Sequence, residues 1–209
     1  EIFGVNWTAT APDGKSILFI FPTEGWAASN TGLTSDCMAA SFQSTGNYLA
    51  ARIAYMYPGA KITKYTPRDD YSKAAQGYAR DTQMMAQQYG FDMQVWADGG
   101  EMTFTYTQNG AAMEGLLAAS SLFFVSSNYN PMGGPPLQAL NANTLGTFGA
   151  VAPAGALNLQ LAEAVRRSVT PNADWLQALM RIGAQINKDA AQGTEQRAAM
   201  IVAGGAAAT

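Results

Sequence analysis

The chain has 209 residues, enough for one domain with a sizeable core or for two small ones. Its net charge of -3 offers no cationic field to a phosphate backbone, which argues against nucleic acid as a partner. It holds no histidine and one cysteine, Cys37, so the usual base near neutral pH, the commonest transition-metal ligand and any intrachain disulfide are missing from the repertoire.

In chain order, residues 2–10 form a strand pattern, and "APDGK" supplies a turn centred on Asp13-Gly14. "SILFIFP" returns as a second strand with Ile17, Phe19 and Phe21 on one face, which makes an early hairpin. "TEGWAASNTG" is expected to be a loop, punctuated by Gly25, Asn30 and Gly32 and carrying Trp26. Residues 45–57 carry the stripe Leu49, Ile53, Tyr57 of a helix stopped by Pro58-Gly59. "AKITKYT" is a short strand ended by Pro67. Residues 69–89 give the clearest helical signal, with Tyr71, Ala75, Tyr78, Thr82, Met85 and Tyr89 alternating spacings of four and three. That tyrosine stripe is expected to pack inward. Asp69 and Asp70 stand at the positive end of its dipole.

A three-strand meander follows in the sequence. A Gly99-Gly100 loop is expected to fold "FDMQVWA" onto "MTFTYT", pairing Val95 with Phe104 and Met93 with Tyr106. Asn109-Gly110, a strong hairpin signal, pairs Tyr106 with Met113 and Thr105 with Glu114. Both turns then put Met93, Val95, Phe104, Tyr106 and Met113 on the core side. The third strand continues through "LLAASSLFFVSS". A Pro/Gly/Asn-rich excursion with a turn of helix at Leu137 to Leu140 leads to the closing strand "LGTFGAVAP". Pro153 and Gly155 turn the chain into a helix whose stripe, Leu157, Leu161 and Val165, can lie across the sheet, with Arg166 and Arg167 at its negative pole. Thr170 caps a second helix, Pro171 fits its first turn, and Trp175, Leu179, Ile182 and Ile186 line it. An Ala/Gly tail follows Gly193.

The compact solution is an α+β fold: an antiparallel sheet of early hairpin, central meander and closing strand, with helices packed on it. Residues 1–170 are expected to form one domain, and residues 171–209 a C-terminal helix and tail. The stretches "PDGKSILFIFPTEGW" and "FGAVAPAGALNLQLAEAVRRSVTPNADW", with the meander between them, resemble the PsbP/Mog1-like fold of small secreted or organellar proteins. The likeness spans roughly residues 1–170, and also extends to uncharacterised exported bacterial proteins. It departs at the helix of residues 69–89 and at the helix after Pro171. It implies a docking or assembly module and no catalytic residues.

Only 13% of residues are charged, about half the usual share, which leaves a surface of Gln, Asn, Ser, Thr, Gly and Ala as secreted proteins carry. The chain opens at Glu1 within strand-like sequence and without an initiator Met. Together these give the expectation of a processed N-terminus and a periplasmic or secreted location. The sequence has no apolar run of membrane length.

No catalytic or metal-ligating set emerges, and no cofactor is expected. Cys37, beside Asp36, lacks a base to make it a thiolate. The acidic candidates Asp98, Glu101 and Glu114 are not brought together by the register and read as solvated charge. The most distinctive feature is the other side of the meander, where Trp96, Thr103, Thr105, Glu114 and Leu116 would form an outer face, with Trp96, Thr103 and Leu116 stacked across three strands. That face is either a contact surface or covered by the helix of residues 69–89, with Trp96 as core. Trp26 is a further pocket-lining candidate. The leading expectation is a non-enzymatic exported binding or assembly module with a protein partner or self-association. The alternatives are a hydrolase that works with carboxylates or hydroxyls, and a carrier for a small apolar ligand.

Overall fold

The computed structural model describes residues 6–31, 38–130 and 133–169, with scattered positions beyond. The chain divides into two compact units, Glu1–Glu163 and Ala164–Thr209. The first unit is an α+β fold with the strands and helices β1 (Trp7–Thr10), β2 (Ile17–Phe21), β3 (Gly25–Ser29), β4 (Met38–Ala39), α1 (Thr45–Met56), β5 (Lys61–Pro67), α2 (Asp69–Gln88), β6 (Met93–Gln108), β7 (Ala111–Asn128) and β8 (Leu137–Pro153). Helix α3 (Leu159–Ser168) begins in it and runs into the second unit. Beyond Pro171 the described positions, among them Asp174, Arg181, Ile182 and Gln185, are helical. Cys37 and the proposed cap Thr170 lie outside the described residues.

One eight-stranded sheet runs in the order β1-β2-β8-β7-β6-β5, antiparallel throughout this path. β3 joins the same edge of β8 that β2 uses, further along the strand, and β4 adds to β3 in parallel. The early hairpin forms as expected. Asp13 Oδ1 accepts the amides of Lys15 and Ser16 at 2.9 Å, and Gly14 takes the positive φ of 68° that the turn needs. Ile17, Phe19 and Phe21 all pack on one core.

The central region departs from the expected meander. Residues 93–108 are one strand without a register shift, so Gly99-Gly100 is not a turn. The reason is steric rather than conformational. A Cβ on Gly99 would stand 2.9 Å from the Arg68 carbonyl and 3.1 Å from Tyr71 Cβ, and one on Gly100 would stand 2.5 Å from the Tyr65 ring. Both glycines admit a neighbour into an extended strand. The Asn109-Gly110 turn does form, with φ of 51° and 77°, and sets Tyr106 against Met113 and Thr105 against Glu114.

Because one strand alternates faces, Val95 and Phe104 fall on opposite sides of the sheet. The expected grouping of Met93, Val95, Phe104 and Tyr106 on one side is therefore corrected. On the α1 face Phe19, Trp26, Met102, Phe104, Leu117, Phe123, Leu140 and Val151 close on Tyr48, Leu49 and Ile53. On the α2 face Val95 and Leu122 meet Ala79, with Met93, Ala97 and Phe124 around them. Two strand glycines are roofed by aromatic rings from the neighbouring strand: Phe104 over Gly115 and Phe19 over Gly149.

Three further expectations change. "GWAAS" is strand β3, not a loop, because its backbone pairs with residues 139–143 of β8. Leu137 to Leu140 opens β8 instead of a helical turn, since β7 offers it a free edge. In α3 the residue turned inward is Ala162, while Leu161 is exposed, so the Leu157/Leu161/Val165 stripe is not the buried seam.

Candidate functional site

Helix α2 packs on β6 through its smallest side chains. Ser72, Ala75, Ala79 and Ala86 are buried, and the helix start rests on Gly99, whose carbonyl accepts the Arg68 amide at 2.8 Å. Gln83 behaves like a short strand partner for the unpaired edge of β6. Its Nε2 donates to the Met93 carbonyl, and its Oε1 accepts the Val95 amide, both at 2.8 Å. So close an approach leaves no room underneath for tyrosine or methionine. The expected inward stripe is corrected here: Tyr78 is 57%, Met85 54%, Tyr89 70% and the following Phe91 66% exposed. Tyr89 and Phe91 touch, with ring centroids 6.4 Å apart. Tyr78, Met85 and Tyr89 recur at helical spacing beyond the half-buried Tyr71 and make an exposed apolar flank, with the exposed Asp81 one turn from both Tyr78 and Met85.

The start of that flank is an ion-pair knot. Arg68 Nη1 reaches Glu101 Oε2 at 2.7 Å, its Nε reaches Asp70 at 2.9 Å, and its Nη2 lies 3.6 Å from Glu163. The Tyr71 hydroxyl stands 3.0 Å from Glu101 Oε2 and 3.2 Å from Glu163 Oε2, and its ring lies under the Arg68 guanidinium. Sequence spacing could not bring Glu163 to Glu101, since 62 residues separate them and only the closing of the sheet brings Glu163 to Arg68 and Tyr71. The other acidic candidates are also engaged. Asp98 accepts the Thr45 amide at 3.0 Å and the Thr45 hydroxyl, stabilising the positive end of α1. Glu114 accepts the amides of Gly155 and Leu157 at 3.0 and 2.8 Å and fixes the turn after β8. Asp98 and Glu101 sit on opposite faces of β6, so Asp98, Glu101 and Glu114 do not converge on one cleft.

On the α1 side, Glu24 takes the Tyr48 hydroxyl on Oε2 at 2.6 Å and Arg52 Nη2 on Oε1 at 2.8 Å. With the phenolic proton committed to Glu24, Thr147 is the donor in its 3.0 Å bond to Tyr48. Burial, followed by the hydrogen bond to Glu24, holds the Tyr48 phenol well above its ordinary range, so it stays protonated. Arg52 is also flanked by the rings of Phe21 and Tyr55 at 5.2 and 5.7 Å.

The six residues singled out in the sequence do not form one surface. Trp26 is fully buried, stacked on Tyr48 at 5.2 Å with its Nε1 donating to the Phe42 carbonyl at 3.0 Å. Trp96 belongs to the same side and stacks on Phe123 at 5.0 Å and 9°. Thr103, Thr105, Glu114 and Leu116 lie on the opposite face. Thr103 does oppose Leu116, which is buried, and bonds Thr63 at 2.7 Å, while Thr105 opposes Glu114. The Trp96–Thr103–Leu116 stack is therefore corrected: it required the Gly-Gly turn. The ridge on α2 was visible in the sequence as a stripe, and its inverted orientation was not.

Comparison with known protein families, curated proteins and solved structures finds no match for this chain. Among the described residues, no group of three or more His, Cys, Asp or Glu side chains is placed to hold a metal ion, and no helix is long and apolar enough to cross a membrane. Site chemistry thus rests on the geometry alone.

Proposed function

We propose that the chain is a non-enzymatic binding or assembly module that works outside the cytoplasm by docking a protein partner on the outer flank of α2. The supporting observation is the ridge of Tyr78, Met85, Tyr89 and Phe91, large apolar groups that a helix with an alanine inner face turns to solvent. Exposed apolar side chains with aromatic members are what protein interfaces bury at their centres. The flank is mostly apolar with the exposed Asp81 between Tyr78 and Met85, so it fits an apolar surface on the partner that carries a hydrogen-bond donor or cation opposite Asp81. The low charge of the whole chain supports the extracytoplasmic placement. The PsbP/Mog1-like resemblance points the same way through the early hairpin, though the meander that carried part of it is two long strands. A hydrolase reading has less support, since Asp98, Glu101 and Glu114 each make structural hydrogen bonds or ion pairs.

The test is site-specific photocrosslinking in the source cells, with the crosslinker at residue 78 or 89. Discrete adducts to one protein, lost when Met85 is changed to Asp, are expected. Adducts no different from those formed at the exposed Lys61 would remove the proposal.

A further inference from the structure

On the other face of the sheet, at the outer edge of α1, an open cavity of about 360 Å³ is lined by Glu24, Met38, Phe42, Tyr48, Ala51, Arg52 and Tyr55. Its walls are aromatic and thioether surface, and its polar floor is the Glu24–Arg52 pair. That floor is held by a chain of polar contacts. Glu24 is held by Tyr48 and Arg52 at once, and Tyr48 is itself locked between the Trp26 ring and Thr147. The guanidinium is oriented by Glu24 on one edge and by the Phe21 and Tyr55 rings. Glu24 takes one Nη2 hydrogen, so the guanidinium still has donors to offer, while the Tyr48 proton is committed to Glu24.

We propose that this cavity binds a small, planar, uncharged aromatic compound carrying a carbonyl oxygen. The ring would lie among Met38, Phe42 and Tyr55, and the carbonyl would accept from Arg52. A cavity of this volume holds a one- or two-ring molecule, and mostly apolar walls with one fixed polar anchor are the usual build of a small-molecule site. The selection among ligands follows from charge. An anion would compete with Glu24 for the guanidinium while sitting beside its carboxylate. A cation would meet Arg52. A neutral acceptor meets neither penalty. The site stands on the face away from α2 and does not depend on the docking ridge.

The experiment is amide-resolved NMR titration of the whole chain with acetophenone, ethylbenzene, benzoate and benzylammonium. Acetophenone is expected to saturate with a dissociation constant on the order of 1 mM, with shifts confined to residues around Glu24, Met38 and α1. Ethylbenzene, which lacks the acceptor, should bind roughly tenfold more weakly, and both ions more weakly still. Ala51→Trp fills the cavity and should abolish binding while the remaining spectrum stays that of the folded protein. Arg52→Met should keep binding of ethylbenzene and lose the preference for acetophenone. Shifts scattered over the surface, equal binding of all four probes, or wild-type binding by a folded Ala51→Trp protein would each overturn the proposal. Loss of the α2 ridge by Met85→Asp should leave this titration unchanged.

Discussion

The two faces of the sheet solve the same packing problem in opposite ways. Under α1 the sheet supplies large rings, and the helix answers with Tyr48, Leu49 and Ile53; Tyr48, Trp26, Phe123 and Trp96 form a continuous aromatic series from helix to strand β6. Under α2 the contact is made by Ala75, Ala79, Ala86 and the bare backbone of Gly99. Bulk inside demands distance, and distance leaves room for side chains to interlock. Small residues allow close approach and force the large ones outward. The difference teaches that apolar residues on α2 face solvent for the same reason that the helix sits so close to the strand.

This contrast can be broken by substitution. Trp26→Ala should have the largest effect, a loss of about 3–5 kcal/mol, since it opens a cavity in the fully buried series and strands the Phe42 carbonyl; urea denaturation measures it. Gly99→Ala should cost about 1–3 kcal/mol, because the new methyl meets the Arg68 carbonyl at 2.9 Å and backbone cannot yield as a side chain can. A smaller effect is expected from alkaline pH. Burial, then the neighbouring Glu24, raises the folded Tyr48 pKa, so that tyrosine's contribution is complete below the unfolded value of about 10 and is lost as pH rises beyond it. In Tyr48→Phe the fall in stability above that pH should be shallower, read as the urea midpoint against pH. Smallest of all, Tyr78→Ser with Met85→Ser on the outer flank should change stability by under about 0.5 kcal/mol each. A large loss there would mean that the ridge supports the fold, and would erase the distinction between the two helices.

Much of the fold was legible because its signals are local. The two turns need positive φ at Gly14 and at Asn109-Gly110, and each formed as expected. Helices α1 and α2 follow from apolar periodicity bounded by Pro58-Gly59 and Gly90, within a residue of their observed ends. Gly99-Gly100 failed because glycine has two uses, turning a chain and admitting a neighbour, and the neighbour here is Arg68 and Tyr65 from another part of the chain. The site was less legible. Which face Trp96 takes depends on a parity that the single extended strand resets, and Trp26 is buried because β3 pairs with β8.

From its sequence alone this protein had its α+β class, its early hairpin, the Asn109 turn and the extent of its first two helices, all set by torsional preference and periodicity over a few residues. The tertiary structure decided which face each strand residue shows, which side of α2 is buried, and that Glu24, Tyr48 and Arg52 meet at one cavity floor. Those outcomes depend on contacts between segments distant in the chain, and the energy of such contacts is not carried by any local pattern.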